Sequence, residues 1–124
     1  MQFTKPPAAL VELFRAALPE DPAVERRQMF GYPCAFVNGN MFTGLFQASM
    51  FVRLGEAQRR ELLAVEGAAT FAPMASRPMK EYVVIPESIL RDEPALRDWV
   101  RKSFESTGEL PPKVPKRRRA TKRA

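Results

Sequence analysis

Seven cations near the C-terminus are the side chains of this sequence whose type and spacing most clearly suggest a chemical role. They are Lys113, Lys116, Arg117, Arg118, Arg119, Lys122 and Arg123. Three prolines in the same stretch favour an extended chain, so the charges can meet phosphates along a nucleic-acid backbone one by one. No aromatic residue lies among them to stack on bases, and no helical pattern is present to read a groove. The segment is therefore predicted to contact DNA or RNA without sequence preference; the alternative is a tail that only keeps the protein in solution.

Two smaller groups of cations suggest a different kind of site. Arg26 and Arg27 precede a Met-Phe-Gly sequence, and Arg77 and Lys80 fall in a predicted loop that could hold an anion. Surface arginines on a domain of balanced charge usually only favour solubility. The alternative function is a small-ligand or anion-binding domain with a pocket near Arg27, Arg77 and Lys80. Clustering of those three side chains around a closed cavity would favour it.

No residue is predicted to be catalytic. The only cysteine, Cys34, lies in an apolar stretch typical of a buried strand, and the sequence has no histidine to activate it. One cysteine excludes an intramolecular disulfide, and the usual Cys/His zinc spacings are absent. The acidic residues are scattered, so a hydrolase built on two carboxylates is the less favoured alternative. We predict a protein that is not an enzyme and holds no metal or cofactor.

The charge is divided unevenly along the chain. Residues 1–108 hold 13 Lys+Arg and 13 Asp+Glu, whereas residues 109–124 hold seven Lys+Arg and one Glu. A length of 124 residues with 45% hydrophobic residues fits one globular domain. We therefore predict a domain over 1–108 and a disordered basic tail over 109–124. No run approaches the roughly 20 apolar residues of a membrane span, and no signal peptide opens the chain, so we expect a cytoplasmic protein that does not bind membranes.

Hydrophobic periodicity and turn residues predict the elements of the domain. An apolar stripe over 10–18 indicates a first helix, and short apolar runs indicate strands near 24–30, 34–38, 41–47 and 50–54. Asn38-Gly39 is typical of a two-residue hairpin turn. A helix over 56–65, a proline-containing loop, a fifth strand over 79–85 and a last helix from Asp92 to Gly108 follow.

These elements predict an α+β fold with two layers: an antiparallel sheet of about five strands, with helices packed mainly on one face. The second, third and fourth strands are apolar on both faces. Helices from so short a chain can cover one face fully but not both. A homodimer through the sheet or its edge is therefore expected to cover the remainder.

The order of motifs resembles the N-terminal domain of the TfoX/Sxy competence regulators over roughly residues 8–106. The resemblance is carried by Met-Phe-Gly at 29–31, Val-Asn-Gly-Asn-Met-Phe at 37–42, Met-Phe-Val-Arg-Leu at 50–54, Tyr-Val-Val-Ile-Pro at 82–86, Asp-Glu-Pro-Ala-Leu at 92–96 and Trp-Val-Arg at 99–101. It implies a bacterial protein with an antiparallel sheet and packed helices. It provides no catalytic residues to carry over. Full-length members have a second helical domain, where this chain has the basic tail, so a stand-alone copy is expected.

Together these observations predict a non-catalytic regulatory or accessory binding module. Its domain is expected to bind an unidentified protein partner, and its tail to make nonspecific contacts with nucleic acid.

Overall fold

The computed structural model describes residues 5–29, 31–74 and 77–112, without the side chains of Met74 and Arg77. This part of the chain forms one sheet and four helices. The strands are β1 (Glu25–Met29), β2 (Tyr32–Val37), β3 (Asn40–Phe46), β4 (Ser49–Arg53), β5 (Ala69–Met74) and β6 (Arg77–Val84). The helices are α1 (Ala8–Ala17), α2 (Glu56–Leu63), α3 (Glu87–Leu90) and α4 (Glu93–Gly108).

The sheet is antiparallel throughout, with the strand order β1-β2-β3-β4-β6-β5. The first four strands form a meander because their connections are short. Asn38 and Gly39 both have positive φ, 53° and 76°, as a two-residue hairpin turn of the predicted type requires. The predicted α+β fold is confirmed, with six strands rather than about five.

The main core lies between the sheet and the helices. It includes Leu10 and Phe14 of α1, Leu62 of α2, and Leu96 and Val100 of α4, packed on one face of the strands. Helix α4 begins where the sequence predicts, because the Asp92 carboxylate accepts a hydrogen bond from the Ala95 N–H at 3.3 Å. Burial of this apolar face of α4 fixes the helix against β2, β3 and β4.

The other face of the sheet carries a second core made of strand residues alone. Its buried members are Cys34, Met41, Phe51, Phe71 and Tyr82, one from each of β2 to β6. The Phe51 and Phe71 rings stack with centroids 4.1 Å apart, and the Tyr82 hydroxyl donates to the Met41 carbonyl at 2.9 Å. The helix-free face is therefore largely buried within one chain, by its own large side chains.

Three local predictions differ from the structure. A strand, β5, replaces the proline-containing loop; it is an edge strand, where Pro73 removes no donor that the sheet interior needs. Strand β6 begins at Arg77 and not at the predicted residue 79, so Arg77 lies in a strand and not in a loop. The short helix α3, whose Ile89 is buried in the main core, precedes α4.

Glycine is also required within β3, where close packing leaves no room for a side chain. A Cβ at Gly44 in β3 would lie 2.7 Å from the Phe51 ring and 3.1 Å from the Cβ of Cys34. The ring of Phe51 thus packs directly on the backbone of β3, which places Phe51 between Gly44 and Phe71 in the second core.

Candidate functional site

The seven predicted phosphate-binding cations of the tail, Lys113, Lys116, Arg117, Arg118, Arg119, Lys122 and Arg123, lie outside the described residues. The segment that leads to them is held at two points. Asn38 donates to the Gly108 carbonyl at 3.0 Å, and Asn40 donates to the Pro111 carbonyl at 3.1 Å. The two asparagines of the β2–β3 hairpin therefore set where the chain leaves the domain toward Lys113.

Most helical cations of the domain are paired with carboxylates on the same helix. Arg60 pairs with Glu56 at 2.9 Å and Arg97 with Glu93 at 2.7 Å, both at i,i+4 spacing. The carboxylate of Asp98 forms ion pairs with both Arg101 and Lys102. A hydrogen bond from Lys102 is the main cause that lowers the pKa of Asp98; burial opposes this shift, and a hydrogen bond from Arg101 adds to it. The positive charge of these exposed helices is therefore largely matched locally.

Arg26 and Arg27 both lie in the first strand. They are neighbours in the edge strand β1, and successive side chains of a strand point to opposite faces. Arg27 pairs with Glu25 at 2.9 Å, and its guanidinium lies 4.6 Å from the centre of the Phe36 ring. Arg27 thus has local partners that explain its position.

The structure does not show the clustering that would favour an anion pocket at Arg27, Arg77 and Lys80. Lys80 is an exposed residue of β6, and neither Arg27 nor Lys80 lines the pocket beside Cys34 or the pocket at the start of α2. The side chain of Arg77 lies outside what the structure describes. A pocket at these three residues stays a prediction.

Cys34 lies in the second core with 3% of its surface exposed. Burial raises the pKa of its thiol, and the charge of Arg27 opposes this shift. Burial likewise raises the pKa of Tyr82, against the opposing effect of Arg53. The thiol is therefore held neutral, and a neutral thiol is a poor nucleophile.

A pocket of about 60 Å³ lies beside this thiol. Its wall is made of apolar and aromatic side chains, including Met29 of β1 and Met79 of β6. No local sequence pattern indicates this pocket, because it depends on how the sheet brings distant strands together.

A second pocket, which we call the arginine pocket, lies where β4 ends, α2 begins and α4 ends. It measures about 190 Å³. Its lining residues are Arg53, Leu54, Gly55, Arg59, Glu81, Ser106, Thr107 and Leu110. Sequence reasoning missed it because its residues come from three separated segments of the chain, and Gly55 before a helix is the only local signal.

The described residues contain no group of three or more Cys, Asp or Glu side chains that could hold a metal ion. None of the helices in the described part of the chain is long and apolar enough to cross a membrane.

Comparison with known families places residues 13–107 in the TfoX N-terminal domain. Comparison with curated proteins gave no match. The matched segment runs from the middle of α1 to the last turn of α4, so it contains the whole sheet, the second core and all buried residues of the main core except Leu10. It ends just before the segment that Asn40 holds, and the tail cations lie beyond it. The chain accordingly belongs to the TfoX N-terminal domain family, which confirms the resemblance seen in its strand and turn motifs.

Proposed function

We propose that this protein is a non-catalytic regulatory or accessory module of the competence-regulator type. In this proposal the domain binds a protein partner, and the tail makes nonspecific contacts with the phosphates of DNA or RNA. Membership of the TfoX N-terminal domain family supports the regulatory part.

The separation of charge along the chain carries the nucleic-acid part of the proposal. Residues 1–112 contain 13 Lys+Arg and 14 Asp+Glu, whereas residues 113–124 contain seven Lys+Arg and no acidic residue. Most helical cations of the domain are also paired with carboxylates. Unpaired positive charge is therefore concentrated in the tail, where each cation is available to displace a counterion from a phosphate.

Three features of the domain support the non-catalytic part. Cys34 is buried with a raised thiol pKa, the sequence has no histidine, and most carboxylates of the helices are engaged in surface ion pairs. Such ion pairs are typical of solvated helix faces and lack the buried, strongly shifted carboxyl of a general acid.

Salt dependence of DNA binding tests the proposal. Seven phosphate contacts predict a slope of log affinity against log salt of up to about −6, and a Kd of roughly 1–100 μM at physiological salt. Fluorescence anisotropy with duplexes of unrelated sequence should give similar affinities. Deleting residues 113–124 should abolish binding and leave the circular dichroism of the domain unchanged.

A charge-matched pair of variants provides the control. Replacing Arg117, Arg118 and Arg119 by Gln should reduce the magnitude of the salt slope by about 2.7, at ~0.9 per contact. Replacing three exposed domain arginines, Arg60, Arg91 and Arg97, by Gln removes the same net charge but should change the slope little. Equal effects of the two triple variants would show that net charge, and not the tail, determines binding.

A further inference from the structure

We propose that the arginine pocket binds a phosphate group, which makes it a second, structured contact for phosphate beside the basic tail. Three elements converge there: Arg53 is the last residue of β4, Arg59 lies in α2, which begins directly after Gly55, and Thr107 lies in α4. The pocket also includes Leu110, three positions before Lys113, the first cation of the tail. Neither the family match nor the sequence motifs assign a site at this position.

The two arginines of the pocket differ in the partners that they have. The guanidinium of Arg53 already has a partner, because it lies 5.6 Å from the centre of the Tyr82 ring. Arg59 has no carboxylate of the described residues within ion-pair distance, whereas Arg60, the next residue along α2, pairs with Glu56. One N–H of Arg59 donates to the Leu54 carbonyl at 2.9 Å. That bond orients the guanidinium at the pocket and leaves its other donors for a ligand, since the group has five.

The pocket also has a buried hydroxyl, that of Thr107. Thr107 is 1% exposed, and its Oγ1 has no hydrogen-bond partner among the described residues. Its neighbour Ser106 is satisfied, because its hydroxyl bonds to the Lys102 carbonyl and to Gln58. A buried polar group without a partner is costly, and it is commonly explained by a ligand or water that completes it.

Helix α2 begins at the same pocket. Its N-cap is Gly55, which has no side chain to accept from the first-turn N–H groups, and no side-chain cap bond is present. The first-turn N–H groups and the helix dipole favour an anion at this end, where Glu56 of the first turn supplies one negative charge and also pairs with Arg60. Helix start, guanidinium and hydroxyl offer donors from separate elements, which suits a group with several acceptor oxygens.

The charge of the pocket selects among phosphates. Glu81 lies at the wall and is exposed, so it disfavours a dianion near the two arginines. A phosphate diester carries one negative charge and fits this balance better than a monoester. Diesters are the linkages of a nucleic-acid backbone. The inference that this phosphate belongs to a nucleic acid rests on the proposed function of the tail. The inference that the pocket binds a phosphate does not.

Titration of the full chain with dimethyl phosphate at constant ionic strength, followed by amide chemical shifts in the NMR spectrum, tests the pocket. We expect saturable shifts at 55–59 and 106–108. Arg59→Gln should weaken binding about tenfold or more, as loss of charge-assisted hydrogen bonds does. Arg60→Gln, its neighbour outside the pocket, should change binding less than about twofold. Unsaturable shifts, or equal effects of the two variants, would overturn the proposal.

Thr107→Val separates binding from folding. Because valine removes an unpartnered hydroxyl without changing the shape, the melting temperature should stay equal or rise. Dimethyl phosphate binding should nevertheless fall by about threefold or more, as loss of one neutral hydrogen bond does. A variant that is stable and binds as tightly as the parent contradicts a role for this hydroxyl and overturns the donor set proposed here.

A full-length variant with all seven tail cations replaced by Gln separates the pocket from the tail. Dimethyl phosphate should bind to it as to the parent, while duplex DNA should bind far more weakly. If DNA binding is unaffected by that variant, the proposed tail function fails and the pocket stands. If dimethyl phosphate binding is lost with the tail charges, the pocket proposal fails. Competition between duplex and dimethyl phosphate for Arg59 identifies the backbone as the source; simultaneous binding identifies a free phosphorylated compound.

Discussion

The two faces of the sheet bury their side chains by different means. One face is covered by helices, and its strand residues such as Phe42 and Val52 are completely buried. The other face has no helix in the described part of the chain, yet Phe51 and Phe71 are 2% and 6% exposed. Large aromatic rings and methionines there shield one another. A sheet face therefore does not need a second layer to be buried, provided that it is concave and its side chains are large.

The concavity of the helix-free face follows from the small apolar pocket. Met29 of β1 and Met79 of β6 both line it. In a flat sheet their strands would be four spacings of about 4.8 Å apart. Strong curvature of the sheet brings the two methionines to one pocket. The second core thus depends on sheet geometry, whereas the main core depends on helix docking.

Truncating one large ring on each face should give the largest difference. Phe42→Ala should destabilise the protein by about 3–5 kcal/mol, because a fully buried ring leaves a cavity under α4. Phe71→Ala should cost less, about 2–3 kcal/mol, since its edge strand can relax inward. Urea denaturation measures both. A larger loss at Phe71 would mean that the second core is the main source of stability.

Adding one methyl group to each face should give the second-largest difference in stability between the two faces. Gly44→Ala should destabilise by about 1–3 kcal/mol, because the new Cβ meets the Phe51 ring at 2.7 Å. Gly108→Ala is the control on the helix-covered face, where the added Cβ meets Val37 at an ordinary 3.7 Å. It should be neutral or slightly stabilising, because alanine favours helix. Equal tolerance at both positions would show that the second core is loosely packed.

A smaller difference should appear at alkaline pH. Cys34 and Tyr82 both lie on the helix-free face, and burial raises the pKa of each. As pH rises, these two groups lose their protons in the unfolded state before they do so in the folded state. The free energy of unfolding that they contribute is therefore present below the ordinary thiol pKa and declines above it. Cys34→Ala should fold like the parent and weaken this decline. Labelling of native Cys34 by a thiol reagent at neutral pH should be slower than that of a free cysteine; faster labelling would indicate an activated thiol.

Local chemistry explains which parts of the fold could be predicted. The hairpin at Asn38-Gly39 and the cap at Asp92 depend on a few adjacent residues, and both were correctly predicted. Strand β5 was missed because Pro73 and irregular register obscure its pattern. The helix-free face was expected to need a partner chain to bury it. Its burial within one chain could not be predicted, because it depends on sheet curvature that no local sequence pattern encodes.

The sites follow the same division. The tail cations are adjacent in sequence, so their chemistry can be read directly, whereas Arg59 and Thr107 are 48 positions apart and meet only in the fold. The homodimer stays a prediction, now with fewer exposed apolar groups to drive it. Light scattering against the 14.0 kDa mass of one chain tests it.

The hydrogen bonds from Asn38 and Asn40 to the chain at Gly108 and Pro111 give the tail a fixed origin. The twelve residues from 113 to 124 reach at most about 40 Å from that point when fully extended. At about 3.4 Å per base pair, this radius covers roughly a dozen base pairs on either side. A partner on the domain and a duplex on the tail would therefore share a small volume, and each would raise the effective concentration of the other.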